Sequence, residues 1–464
     1  MLAPSPLTFD LAEPFPFPSY FHEDLVAKDY ADFFADLHFA LIPQPIYFGA
    51  GRRGHPLSAY IKALLVKTRE KHTYVTDLRD FLVHHPPLIL LLGFRPVVCA
   101  DSPFGFDVEK TVPTARHLRR KLQTIENTYF QTLLSGTVND LKREVPHFGR
   151  RIAQDNKHIY AWVKQNNKKA YVKDRFNPDC QPTGDPDCRL GVKRISNQDK
   201  KAHIDTNAQT EKKQADQNAP TQNRANEKEY LWGYGTSTVV TKHRLLGEFV
   251  IAEQTEPFDV QDVEFFPSLM ETVDQRLSFR PKRFTGDAAF DAWYVYDWFA
   301  KKGGTAYVPL NLRGHAKPRF GDNGFHMCED DREMIGASIF QDRTRGYQAQ
   351  REICPVLFGN LPEDQTCRIQ HENFQKGTGC VKHKNLEVGA RVRVELDRSS
   401  DEFKREYKWR TMEERIFSQA KELGIERPRL RNIHSIRNQN TLIYIVINAH
   451  ALKRVREAKL REIT

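Results

Sequence analysis

The chain has no long apolar run: its most hydrophobic stretch is LILLL at 88–92. A bilayer crossing needs about 20 consecutive apolar residues, so membrane-spanning functions fall away. The start, MLAPSPLTFDLAEPFPFPSYF, lacks a basic segment leading into an apolar one, so no secretory leader is expected and the chain is read as soluble and cytoplasmic. Cysteine is scarce and odd in number, seven in 464 residues, which fits reduced thiols or metal ligands better than a disulfide framework. Between 196 and 229 strongly apolar residues are nearly missing: Ile204 stands alone beside ten Asn and Gln. Such a stretch cannot bury enough surface to offset its ordering entropy, and a flexible loop is expected there. Acidic residues are outnumbered, 60 against 70 Lys and Arg for a net charge of +10, which favours a polyanionic partner such as nucleic acid.

What is present is a globular composition, 39% hydrophobic and 11% aromatic, in a chain long enough for two or three domains. Residues 57–150 read as helices: LSAYIKALLVKTREKH, TDLRDFLVHH and TARHLRRKLQTIENTYFQTLLSGTVNDLKREV, the last with Thr114 as N-cap. Arg116, His117, Arg119, Arg120 and Lys121 concentrate charge at the start of that helix. It is read either as the DNA-reading helix of a helix-turn-helix or as a solvated basic face. From Ile152 the pattern changes to short strands, RIAQDNKHIYAWV, EYLWGYGTSTVVTKH, LGEFVIAEQT, RFTGD and TAYVPL, with helices at 259–275 and 290–301. That is a mixed α/β order. A second insertion, 311–402, is rich in Gly, charge and cysteine. A final apolar helix follows in TLIYIVINAHALKRVREAKL, and residues 426–464 carry nine Lys or Arg against three Glu.

The segment YKWRTMEERIFSQAK, 407–421, reads as one amphipathic helix. At about 100° per residue, with Tyr407 at zero, Arg410 falls near −60°, Glu414 near −20° and Lys421 near −40°. Trp409, Met412, Ile416, Ala420 and Leu423 gather on the opposite side, the stripe that docks on a core. Solvated Glu to Lys pairing is the ordinary account of such a polar face, but Glu414 and Lys421 lie two turns apart, too far for an i, i+4 pair. A catalytic Glu414 would need carboxylate partners, since hard cations such as Mg²⁺ take several oxygen ligands. Asp155, inside the first strand, and Asp287, ending the strand KRFTGD before a helix, are the candidates, because ligands bind beyond the carboxyl ends of such strands. The plain alternative for Asp287 is a turn former or cap.

Tyr407, two residues, Arg410, three residues, Glu414, six residues, Lys421 resembles, in all four positions, the Y-R-E-K signature of DDE insertion-sequence transposases. EYLWGYGTSTVV is similar to that family's strand with a Gly-Tyr motif, and TGDAAFDA to the segment around its second aspartate, apart from Ala288 and Ala289. The resemblance runs from about residue 55 to the end, outside the 196–229 loop. It implies an RNase H-like mixed sheet flanked by helices, with an N-terminal extension (1–54), a helical DNA-binding domain (55–150) and a catalytic domain (151–464) interrupted by the Cys-containing insertion. Asp155, Asp287 and Glu414 would hold two Mg²⁺ or Mn²⁺ ions, with Asp291 and Glu413 in reserve. Tyr407, Arg410 and Lys421 would hold DNA phosphates, and Arg116, Arg119 and Arg120 would add contacts. Double-stranded DNA, as terminal inverted repeats and target, is the implied partner, with a nucleoid-associated homodimer bridging two ends. Two rival readings are an RNase H-like nuclease without strand transfer and a host-adopted DNA-binding regulator.

Cys328, Cys354, Cys367 and Cys380, with His371 and His383 nearby, are read as a candidate structural zinc set, although only Cys380 and His383 have the close spacing typical of zinc ligands. Buried thiols are the alternative.

Overall fold

The computed structural model describes residues 23–43, 54–194, 228–314, 316–359, 366–369 and 371–463. The loop expected at 196–229 lies outside the described residues except for Lys228 and Glu229, which open a strand. Along the chain come helices α1 (Leu25–Ala35), α2 (Leu57–Arg69), α3 (Val75–His84), α4 (Pro86–Leu92), α5 (Ala115–Thr124) and α6 (Asn127–Glu144). Strands β1 (Arg151–Tyr160), β2 (Arg189–Arg194), β3 (Lys228–His243) and β4 (Gly247–Pro257) precede α7 (Phe266–Leu277). Then follow β5 (Arg283–Thr285), α8 (Trp293–Ala300), β6 (Thr305–Tyr307), β7 (Ile335–Asp342), β8 (Tyr347–Ile353) and β9 (Val381–Asn385). Helices α9 (Val388–Glu395), α10 (Asp401–Tyr407), α11 (Thr411–Glu422) and α12 (Ile433–Ile463) close the chain.

These elements form two compact units, one of Met1–Phe148, Asp155–Leu277 and Met412–Thr464, the other of Gly149–Gln154 and Ser278–Thr411. The first is organised around α12, 31 residues long, which packs against α2, α5, α6 and β4. Its run TLIYIVINAHAL is apolar almost all round, and Leu442 through Ile447 are buried, as expected of a helix surrounded by other elements. Strand β3 pairs antiparallel with β2 and β4, and the later part of β1 runs beside it. The β3 register with β4 shifts between Val239 and Val240, leaving Ile251 as the extra residue. Arg276 Nη1 donates to the Ile251 carbonyl at 2.7 Å. Next to it, Asn448 of α12 accepts from Val250 N at 2.9 Å and donates to Val250 O at 2.8 Å. Buried backbone groups at a bulge need such side-chain partners. Gly233 is required by close approach: a Cβ there would lie 2.0 Å from Ile159 O.

In the second unit the first residues of β1 pair in parallel with β5, and β5 in parallel with β6 through the α8 crossover. The mixed α/β order read from the strands and helices is therefore present, as is the mixed sheet flanked by helices that the resemblance implied. Strand β2 was not foreseen; RLGVKR follows a Pro, Gly and Asp loop and is a strand because it pairs with β3. The Cys-containing insertion holds an antiparallel sheet, β7-β8-β9. Among the described residues no helix is long and apolar enough to cross a membrane.

Candidate functional site

Within the second unit β1 and β5 are in register through Arg151 with Arg283, Ile152 with Phe284 and Ala153 with Thr285. Asp155 lies two residues beyond Ala153, and Asp287 two residues beyond Thr285. On extended chain, residues two apart project to the same side. Asp155 is half-buried after the buried Ile152, Ala153 and Gln154, and its Oδ1 accepts from Asn156 N at 2.8 Å. Asp287 caps the 3₁₀ turn Ala288–Phe290, accepting from Ala289 N at 2.8 Å. Asp291 differs from both. It is buried and accepts from Tyr296 Oη (2.8 Å), Asn311 N (2.7 Å) and, through two oxygens, Arg393 Nε (2.9 Å) and Nη2 (2.6 Å). Four bonds occupy its lone pairs, so Asp291 ties α8, α9 and the chain after β6 together, and Asp287 keeps the more accessible position.

The signature segment departs from one continuous helix. Tyr407 ends α10, Lys408–Arg410 form a 3₁₀ turn, and α11 starts at Thr411. A 3₁₀ turn advances about 120° per residue against about 100° in the α form, so the single wheel is off by roughly 60° after the turn. Trp409 in that turn lies under the Arg151 guanidinium at 5.0 Å, and Tyr407 stacks on Phe403 at 5.6 Å. Within α11 the expected stripe holds: Met412, Ile416 and Ala420 are buried. Glu413 is buried with them and accepts from the Thr238 hydroxyl at 2.8 Å, while Glu414 is exposed. Lys421 forms an ion pair with Glu426 at 3.4 Å, and Glu426 also receives Lys157 at 2.5 Å. Burial pushes the Glu426 carboxyl up, but Lys157 and then Lys421 outweigh it and hold it below its ordinary range.

Thr114 caps α5 as expected, its hydroxyl accepting from His117 N at 3.3 Å. Leu118 and Leu122 are buried, and Arg116, Arg119 and Arg120 are exposed. The preceding helix is a single turn, Val108–Thr111, too short to be the first helix of a helix-turn-helix. In the insertion Cys328, Cys354 and Cys367 are buried and Cys380 is half-buried. Burial, followed by the neighbouring Cys354 thiol, pushes the Cys380 thiol up to about 12.

Carboxylate oxygens are the donor chemistry Mg²⁺ takes. Asp155 and Glu414 belong to the first unit and Asp287 to the second. Among the described residues no group of three or more His, Cys, Asp or Glu side chains is placed to share one ion. The sequence reading passed over two segments of the first unit, 160–176 and 427–431. The alternating arginines of RPRLR were the available signal.

No protein-family model matches the chain, and no curated protein matches it.

Proposed function

We propose that the protein is a DNA transposase of the DDE type on an RNase H-like fold, cleaving at transposon ends and transferring the freed strand into target DNA. The observation that carries the reading is the register of β1 with β5, in which Asp155 and Asp287 each follow a member of the last paired couple, Ala153 with Thr285, by two residues along the sequence. The exposed Glu414 and the spacing of Tyr407, Arg410 and Lys421 around it support it further. Asp155, Asp287 and Glu414 are the carboxylates in this reading, and Mg²⁺ or Mn²⁺ would be recruited jointly with DNA phosphate oxygens, as is usual for an ion that keeps few protein ligands. Bound there, the ions supply activation of water and stabilisation of the attacking and leaving oxygens. Arg410 and Lys421 would neutralise phosphates, Arg through a planar fork and Lys as a point charge.

The test is incubation of the purified protein with labelled DNA from the flanks of its coding region, Mg²⁺ and a target plasmid. Joined product is the expected result. Cleavage without joining would identify a nuclease, and binding without cleavage a regulator.

A further inference from the structure

The first unit carries a groove of about 1,100 Å³ whose lining includes eight Lys or Arg, one carboxylate and four aromatic side chains. It lies between the loop after β1, the start of β3 and the segment before α12. The loop is fastened from beneath: Asn166 Nδ2 donates to Ala161 O at 2.8 Å and to Trp232 O at 2.7 Å, and its Oδ1 accepts from Trp232 N at 3.0 Å. The far wall is fastened by Tyr160 N, which donates to Glu426 O at 2.9 Å. One wall is therefore held by the Asn166 side chain and the other by a backbone bond, and the residues above them line the groove.

Three arginines lie over aromatic rings: Arg427 over Tyr160 at 4.3 Å, Arg431 over Trp162 at 4.9 Å and Arg429 over Trp162 at 5.7 Å. Opposite, Phe176 and Tyr230 sit 6.1 Å apart. Trp162, Phe176 and Tyr230 remain 39%, 37% and 44% exposed. Leaving large rings in water costs free energy, and a small metabolite site would be mostly apolar and enclosed. Exposed rings interleaved with cations suit a polyanion that also offers flat π faces, which is a nucleic-acid strand; an acidic peptide would use the charge but not the rings. A second cavity, about 350 Å³, shares Trp162, Arg429 and Arg431 and is also lined by Arg119, one of the α5 arginines read from the sequence as DNA-contacting.

We propose that this groove binds a single strand of nucleic acid, its phosphates held by Arg427, Arg429, Arg431 and Lys168 and its unstacked bases lying on Trp162, Phe176 and Tyr230. The proposal rests on nucleic acid being the partner, the broader half of the function proposed above, and not on strand cleavage. Stacking on one ring is worth about 1–3 kcal/mol per base, and each phosphate contact to a single strand adds about 0.7 to the salt slope.

The experiment measures binding of the full chain to a fluorescein-labelled oligonucleotide, single-stranded and as duplex, by anisotropy over a series of salt concentrations. Trp162→Ala should weaken single-strand binding roughly 5- to 150-fold with the salt slope unchanged, and Trp162→Phe should restore most of it. Arg429→Ala with Arg431→Ala should lower the slope by about 1.4. Wild-type affinity in both variants, or equal losses for duplex and single strand, would overturn the proposal; thermal melts of the variants exclude misfolding as the cause of a loss. End-cleavage and strand-joining assays on the wild type report separately on the transposase reading, so the two can fail independently.

Discussion

The Thr238 hydroxyl donates to Glu413 Oε2 at 2.8 Å, whereas the next residue on the same helix, Glu414, faces outward. Adjacent glutamates thus have opposite environments, because one residue is about 100° of helix. Glu413→Ala should destabilise the protein by about 2–3 kcal/mol, through a lost buried hydrogen bond and a cavity. Glu414→Ala should change stability by less than about 0.5 kcal/mol yet abolish Mg²⁺-dependent end cleavage. Thermal denaturation beside a cleavage assay checks both; cleavage lost in Glu413→Ala but retained in Glu414→Ala would reverse the assignment.

Asp287 and Asp291 should separate in the same way. Removing Asp291 leaves the Arg393 guanidinium without its buried partner, so Asp291→Ala should cost about 3–5 kcal/mol, read as a lower denaturant midpoint. Asp287→Ala loses a cap on one short turn, about 1 kcal/mol, and should lose cleavage while still binding DNA. Normal cutting by Asp287→Ala would show that the second carboxylate has been misassigned.

Acid should weaken the fold through two histidines. Burial, then Lys193 and Lys157, lowers His158 to about 4, and burial, then Arg69 and Arg454, lowers His450 to about 4. The unfolded chain binds these protons near pH 6.5 and the folded one only near 4, so unfolding takes up protons between those values. Stability is complete above pH 6.5 and falls as pH drops towards 4, by about 1–2 kcal/mol per histidine at pH 5. Urea midpoints at pH 7 and pH 5 measure this, and His158→Gln should flatten the difference. A midpoint independent of pH in the wild type would contradict it.

Duplex DNA binding should show its phosphate contacts in the salt dependence. Arg410→Ala should reduce the slope of log K against log salt by about 0.9, and the triple change Arg116→Ala, Arg119→Ala, Arg120→Ala by about 2.7. Unchanged slopes would return those faces to ordinary solvated surface.

Much of the fold was legible where the signal is local. The helical period at 57–72 falls on α2 and the β-branched runs at 151–163, 229–243 and 246–255 fall mainly on β1, β3 and β4, whereas the stretch at 114–144, read as one helix, is broken at Ile125 and Glu126 into α5 and α6. The 3₁₀ turn at Lys408–Arg410 was not legible, because the apolar spacing on either side of it fits a continuous helix. Nor was β2, since RLGVKR has little strand propensity and is a strand by virtue of pairing with β3. The groove was missed because Trp162, Tyr230 and Arg431 lie far apart in the chain, and each alone reads as loop.

By itself the sequence determined the types of the main elements, the buried stripe of α11 and the Y-R-E-K spacing, since these depend on residues a few positions apart. The tertiary structure decided which acidic groups are committed: Asp291 to Arg393, Glu413 to Thr238 and Glu426 to Lys157 and Lys421. Those partners lie from five to 269 positions away, and only folding determines which side chains a carboxylate meets once water has been excluded.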